Sequence, residues 1–204
     1  MNSLKYLIFS LILLATGSAF ASQMTYEVYA NTTVISGQSG YLDFQFNPGN
    51  NAQAATATVM NFSPYGGVLT GPSSATGTVN GDLPTTVTLG NTAAWNDYFQ
   101  GFIFANLLHF SVRLDGPALT APNGTAGSGS EFGFSMYAAD GFTPLLTQDP
   151  NGFAMTASVM PDGTTVARYD YGPNTSAVPE PSTYALLCIS LGVVGYARRK
   201  MGKN

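Results

Sequence analysis

The sequence predicts an all-β body folded as an antiparallel β-sandwich of jelly-roll type, flanked by an apolar segment at each end. Three observations carry this. Apolar and polar residues alternate along short runs, Gly-, Pro- and Asn-rich stretches separate the runs, and no stretch of the body has the spacing of a long amphipathic helix. The irregular spacing of the runs argues against a solenoid despite the 23 glycines.

In chain order, Met1 to Ala21 reads as a signal peptide. Lys5 gives it a basic start, the apolar run from Tyr6 to Ala15 is too short to span a bilayer, and Ala19 and Ala21 are the small residues that signal peptidase needs. The body is assigned to residues 22–175 and the tail to 176–204. The first strands are expected at 25–31 and 41–46; in the second, Leu42, Phe44 and Phe46 face inward and Tyr41, Asp43 and Gln45 outward. Further strands are expected at 55–62, 76–80 and 85–89, with turns at 47–51 and 71–74 and a helical turn at 93–96. The run 101–115 (GFIFANLLHFSVRLD) places Phe102, Phe104, Leu108, Phe110, Val112 and Leu114 on one face, and Asn106 alone interrupts them. After a turn-rich stretch at 121–129, Phe132, Phe134 and Met136 alternate with Glu131, Gly133 and Ser135. Phe153, Met155, Ala157 and Val159 form another face. Pro161-Asp162-Gly163 then reads as a hairpin turn into a strand over 164–171.

Charge narrows the partners. Between residues 22 and 177 the only basic residues are Arg113 and Arg168, set against ten acids, so the body carries −8 while the whole chain carries −4. Such a surface repels phosphate backbones and excludes nucleic acid as a partner. The one cysteine, Cys188, lies in the tail, so the body has neither a disulfide nor a cysteine cluster for zinc.

Chemistry is sparse. His109 is the only histidine, it stands at an outward register, and nothing around the serines resembles a nucleophile elbow. No catalytic residue and no metal-binding set is assigned, and no cofactor is expected. Calcium is the metal whose oxygen ligands the loops at 80–82, 140–141 and 149–152 could supply, though none has the twelve-residue calcium-loop pattern. Asp43 and Glu131 project from strands, but the sequence sets no working separation between any two carboxylates. Trp95-Asn96-Asp97-Tyr98 combines rings with polar groups. Trp95 and Tyr98 are the candidate glycan contacts, against the plainer reading that Trp95 plugs one end of the sandwich.

The tail has three parts. Val178-Pro179-Glu180-Pro181 is stiff, because two prolines fix φ and remove donors. Tyr184 to Ala197 is an apolar run of fourteen residues, about 21 Å as a helix and short of a core of about 30 Å. Arg198-Arg199-Lys200 follow as a cytoplasmic stop, which leaves the prolines on the outer side. This order over Val178 to Lys200 resembles the PEP-CTERM sorting domain of exosortase substrates in Gram-negative bacteria. The resemblance implies export through the translocon, cleavage by signal peptidase and transient anchoring in the inner membrane. It further implies processing by an exosortase near Val178–Pro181, followed by residence at the cell surface or outside the cell, in connection with exopolysaccharide and biofilm. The expected function is that of a non-enzymatic surface or extracellular-matrix protein. The alternatives are a lectin-like carbohydrate-binding module, assisted by calcium, and a secreted hydrolase.

Overall fold

The computed structural model describes residues 23–170 and the backbone of residues 173–178. The expected signal peptide with Ala19 and Ala21, the residues Pro179, Glu180 and Pro181, the expected transmembrane helix and the cluster Arg198, Arg199 and Lys200 lie outside the described residues.

The described strands are β1 (Met24–Asn31), β2 (Ser39–Asn47), β3 (Thr56–Ser63), β4 (Val68–Thr76), β5 (Val79–Gly81), β6 (Val87–Gly90), β7 (Asp97–Ile103), β8 (Leu107–Asp115), β9 (Ser130–Ala138), β10 (Met155–Val159), β11 (Thr165–Tyr169) and β12 (Pro173–Val178). They form two six-stranded antiparallel sheets, in the orders β12-β1-β8-β3-β6-β5 and β11-β10-β9-β2-β7-β4. One turn of helix, α1 (Pro117–Thr120), follows β8.

The sheets face each other across a core that the period-two pattern selects. Leu42, Phe44 and Phe46 of β2 and Phe132, Phe134 and Met136 of β9 are fully buried, as their alternation predicts. Val28 of β1, Val59 of β3 and Phe110 and Val112 of β8 meet them from the other sheet. Phe110 packs edge-on against Phe44 at 5.2 Å and against Phe134 at 4.9 Å, while Phe44 and Phe134 stack at 5.2 Å within their own sheet. The Pro161-Asp162-Gly163 turn joins β10 to β11 as expected, with Gly163 at φ +82° and Met160 N–H donating to the Thr164 carbonyl at 2.8 Å.

The run 101–115 differs from its expected form. It is two strands in different sheets, β7 and β8, joined across the end of the sandwich by residues 104–106. Its apolar face is still buried throughout, because a strand that changes sheets keeps presenting the same face to the shared core. Gly71-Pro72-Ser73-Ser74 is not a turn but part of β4, whose register against β7 shifts between Thr70 and Ser74. β4 is an edge strand, where a bulge and a proline without an N–H are tolerated. Residues 93 and 94 are bends and 95 and 96 are irregular, in place of the expected helical turn. The buried Asn96 organises them: its Nδ2 donates to the Phe46 and Ala93 carbonyls at 3.0 and 2.9 Å, and its Oδ1 accepts from Thr78 N–H at 2.8 Å.

Phe44 touches rings in both sheets, so Phe44→Ala should cost about 3–5 kcal/mol through lost transfer energy and the cavity left behind. Guanidinium unfolding of the purified chain in detergent measures it; a loss below about 1 kcal/mol would mean that the sheets close over the gap.

Candidate functional site

The outward face of the second sheet is built by register. Tyr41 of β2 stands opposite Gly101 of β7 and Tyr137 of β9; Asp43 stands opposite Phe99 and Ser135; Gln45 stands opposite Asp97 and Gly133. Alternation therefore brings three rings and two carboxyls from three strands onto one surface. Tyr41 and Phe99 stack with centroids 4.6 Å apart, and Phe99 and Tyr137 follow at 6.2 Å.

The segment between β9 and β10 folds back over this face. Ala138 N–H donates to the Thr143 carbonyl at 2.9 Å and Leu145 N–H to the Met136 carbonyl at 2.7 Å. Gly133 has no side chain because the Phe153 ring occupies the space, and a Cβ there would come within 2.3 Å of it. Phe153 thus lies on the outer face, and only Met155, Ala157 and Val159 of the expected Phe153–Val159 face are buried in the core.

This cover buries groups that alternation turns outward. Asp43 is 3% exposed, and Gln45 and Ser135 are also buried. Gln45 Nε2 donates to Asp43 Oδ2 at 2.7 Å, and Asn47 Nδ2 donates to Gln45 Oε1 at 3.2 Å. Asp43 Oδ1 and Ser135 Oγ have no hydrogen-bond partner among the described residues. Burial, reinforced by the Asp97 carboxyl within hydrogen-bonding reach, pushes the Asp43 carboxyl up to about 9. Where two carboxyls approach each other a proton on one of them relieves the repulsion, and the raised carboxyl, Asp43, is the one that holds it.

Tyr41, Ser74, Asp97, Phe99, Asp140, Gly141 and Phe142 line an open groove over this pair. Phe142 is 84% exposed at its rim. A second groove, on the far side of Tyr41, is lined by Gly40, Thr70, Pro72, Gly101 and Ala139. Asp140 accepts from Phe142 N–H and Thr143 N–H, both at 2.9 Å, and from Thr143 Oγ1 at 2.6 Å; these bonds hold its carboxyl down to about 2. The groove therefore combines aromatic faces, an anionic turn and the Asp97 carboxyl.

The sequence-derived candidates fall elsewhere. Trp95 is 52% exposed on the loop that Asn96 pins, and does not plug the sandwich. Tyr98 is 1% exposed, facing the core against Phe44. Its hydroxyl donates to Asp82 and accepts from Leu83 N–H at 3.0 Å, and burial with the Asp82 bond raises it to about 12. Trp95 thus offers a ring to solvent and Tyr98 does not. His109 stacks on Tyr29 at 4.3 Å, with Nε2 2.7 Å from Glu27 Oε2. Ser111 Oγ donates to the other oxygen of Glu27 at 2.8 Å, so the acid stands between serine and histidine and the histidine does not face the serine oxygen. In the loops considered for calcium, Asp82 is taken by Tyr98, Asp140 by its own turn, and Asp149 by Asn151 N–H at 2.8 Å. Among the described residues no three acidic, histidine or cysteine groups cluster for a metal.

The Asp43 side chain titrates higher folded than unfolded, so its contribution to stability is full below the ordinary value of 3.8 and is lost as pH rises towards about 9. Asp43→Asn removes that titration and supplies an amide donor towards Asp97. Its Tm should be close to that of the natural chain at pH 4 and exceed it at pH 8. Parallel Tm curves for the two proteins over this range would rule out the raised Asp43 carboxyl.

Compared with known proteins, the chain matches a family model described as the PEP-CTERM protein-sorting motif, over residues 177–200. The match begins at Ala177, inside β12. No curated protein and no solved structure matches the chain. The motif marks an exported chain sorted through a C-terminal membrane-anchored segment, with an exosortase as its processing partner.

Proposed function

We propose that this PEP-CTERM protein is a non-enzymatic component of the cell surface or extracellular matrix, released from a transient inner-membrane anchor by an exosortase in a setting rich in exopolysaccharide. The observation that carries this is the matched segment itself: Pro179-Glu180-Pro181, a short apolar run and Arg198-Arg199-Lys200, in that order, directly behind the β body. The run is too short for a comfortable permanent span, and the prolines keep the outer side extended and open to a peptidase. The acidic, lysine-free body suits a soluble existence after release. Mass spectrometry of the mature protein should find a C-terminus near Val178–Pro181 that reverts to the unprocessed tail in Glu180→Ala. An intact tail through Asn204 in cells with active exosortase overturns the reading.

A second reading is favoured by the groove over Tyr41 and Phe99. Aromatic rings flanked by carboxylates are the chemistry that holds sugars, ring faces meeting apolar sugar faces and oxygens accepting from hydroxyls. With a body charge of −8 the ligand is a neutral glycan rather than a polyanion. Binding on a glycan array, run with and without calcium, should fall at least tenfold in Phe99→Ala and Phe142→Ala and stay unchanged in Trp95→Ala. A flat array in both conditions removes this reading and leaves the first.

A further inference from the structure

β12 pairs with β1 through six successive partners, from Ala30↔Pro173 to Thr25↔Val178, with no register shift. The ladder ends there for two reasons. β1 begins at Met24, so no more than one further partner remains, and the next residue of the tail is Pro179, which has no N–H to donate. The sheet and the sorting motif therefore share an end with no spacer between them. Pairing also crosses residue 176, where composition alone divides body from tail.

The other terminus of the body leaves at the same corner. Met24 pairs with Leu114, and Gln23 Nε2 donates to Asp115 Oδ2 at 2.8 Å. Residues 179–183 separate Val178 from the apolar run at Tyr184, a reach of about 17 Å when fully extended. If the sorting reading holds, this short link keeps the body close to the membrane.

A peptidase takes its substrate as unpaired, extended backbone, so a bond between two residues of a paired strand is closed to it. The backbone of 173–178 is already extended, and β1 occupies it. From this, resting on the sorting reading, we propose that β12 sets the upstream limit of exosortase processing. The peptide bond broken is Val178–Pro179 or one beyond it, and the mature protein keeps β12 as the closing strand of its first sheet. In that step the carbonyl carbon passes to water or to a hydroxyl or amino acceptor, and the leaving nitrogen takes the proton that the nucleophile gives up. Losing β12 would instead expose the eight-residue edge of β1, an open template for pairing with another chain.

Two experiments test this on the full chain. Proteinase K digestion in detergent should leave a body fragment that ends at or after Val178. In the double variant Thr175→Pro/Ser176→Pro, the fragment should end upstream of Pro173. Successive residues of a strand point their N–H groups to opposite sides, so one of the two prolines removes a ladder bond whichever way the strand faces. The same endpoint in both proteins overturns the proposal. Should the variant be digested throughout, hydrogen exchange on the natural chain gives a second measure. The β1-facing amides of 173–178 should exchange at least tenfold slower than Glu180, Ser182 and Thr183, and equal rates overturn the proposal without any variant. In cells, a mature C-terminus upstream of Val178 defeats this inference alone, whereas an unprocessed tail defeats the sorting reading and leaves digestion and exchange to decide.

Discussion

Phe110 of the first sheet meets Phe44 of the second edge-on, and Phe134 packs against both. Once these rings fix which face of β2, β8 and β9 is inward, period two leaves no freedom in what faces out. Asp43 lies between Leu42 and Phe44, so it must stand on the outer face opposite Phe99 and Ser135. It cannot move away from Asp97 without shifting the core register. The buried Asp43 carboxyl is thus a consequence of core packing, and the energetic cost of burying it falls on the sandwich as a whole.

Much of this was legible in the residues. The inward triplets of β2 and β9 follow from alternation alone, and the hairpin at Pro161-Asp162-Gly163 follows from turn chemistry, because both are local patterns. The sorting segment was legible for the same reason: its three parts are contiguous and their order is the signal. What alternation cannot reveal is a change of sheet. Residues 101–115 keep one apolar face while passing from β7 to β8, so their pattern reads as a single strand. Edge strands also escape, since β4 carries Gly71 and Pro72 at a bulge that a central strand would reject. The outward placement of Tyr41, Asp43 and Gln45 was legible, but their neighbours Asp97, Phe99 and Tyr137 arrive by cross-strand register, and their burial depends on the loop that leads to Phe153. No period in the sequence encodes either.

Sheet edges often rely on lysine to discourage pairing with other chains, and the body has none. The four edges are handled in other ways. β4 is interrupted by its bulge and Pro72, β5 is three residues long, β11 carries Arg168, and β12 ends against Pro179. β12 differs from the others because its edge function and the sorting motif compete for adjoining backbone, so processing and the closure of the sheet are coupled through one peptide link.

The same topology separates the two surfaces that matter most. β8 runs from Leu107, beside the turn that leaves β7, to Leu114, paired with Met24 at the corner where both ends of the body emerge. Tyr41 and Gly101 lie towards the first of these ends, near Ser39↔Ile103, and on the opposite sheet. The groove runs from Tyr41 along the outer face of the second sheet to Asp97 at the start of β7, so a ligand there and a membrane at the Val178 corner occupy different faces of the sandwich. On the proposed readings, a glycan at Phe99 and Phe142 is held before the anchor is cut as readily as after, since no residue that lines the groove belongs to β12.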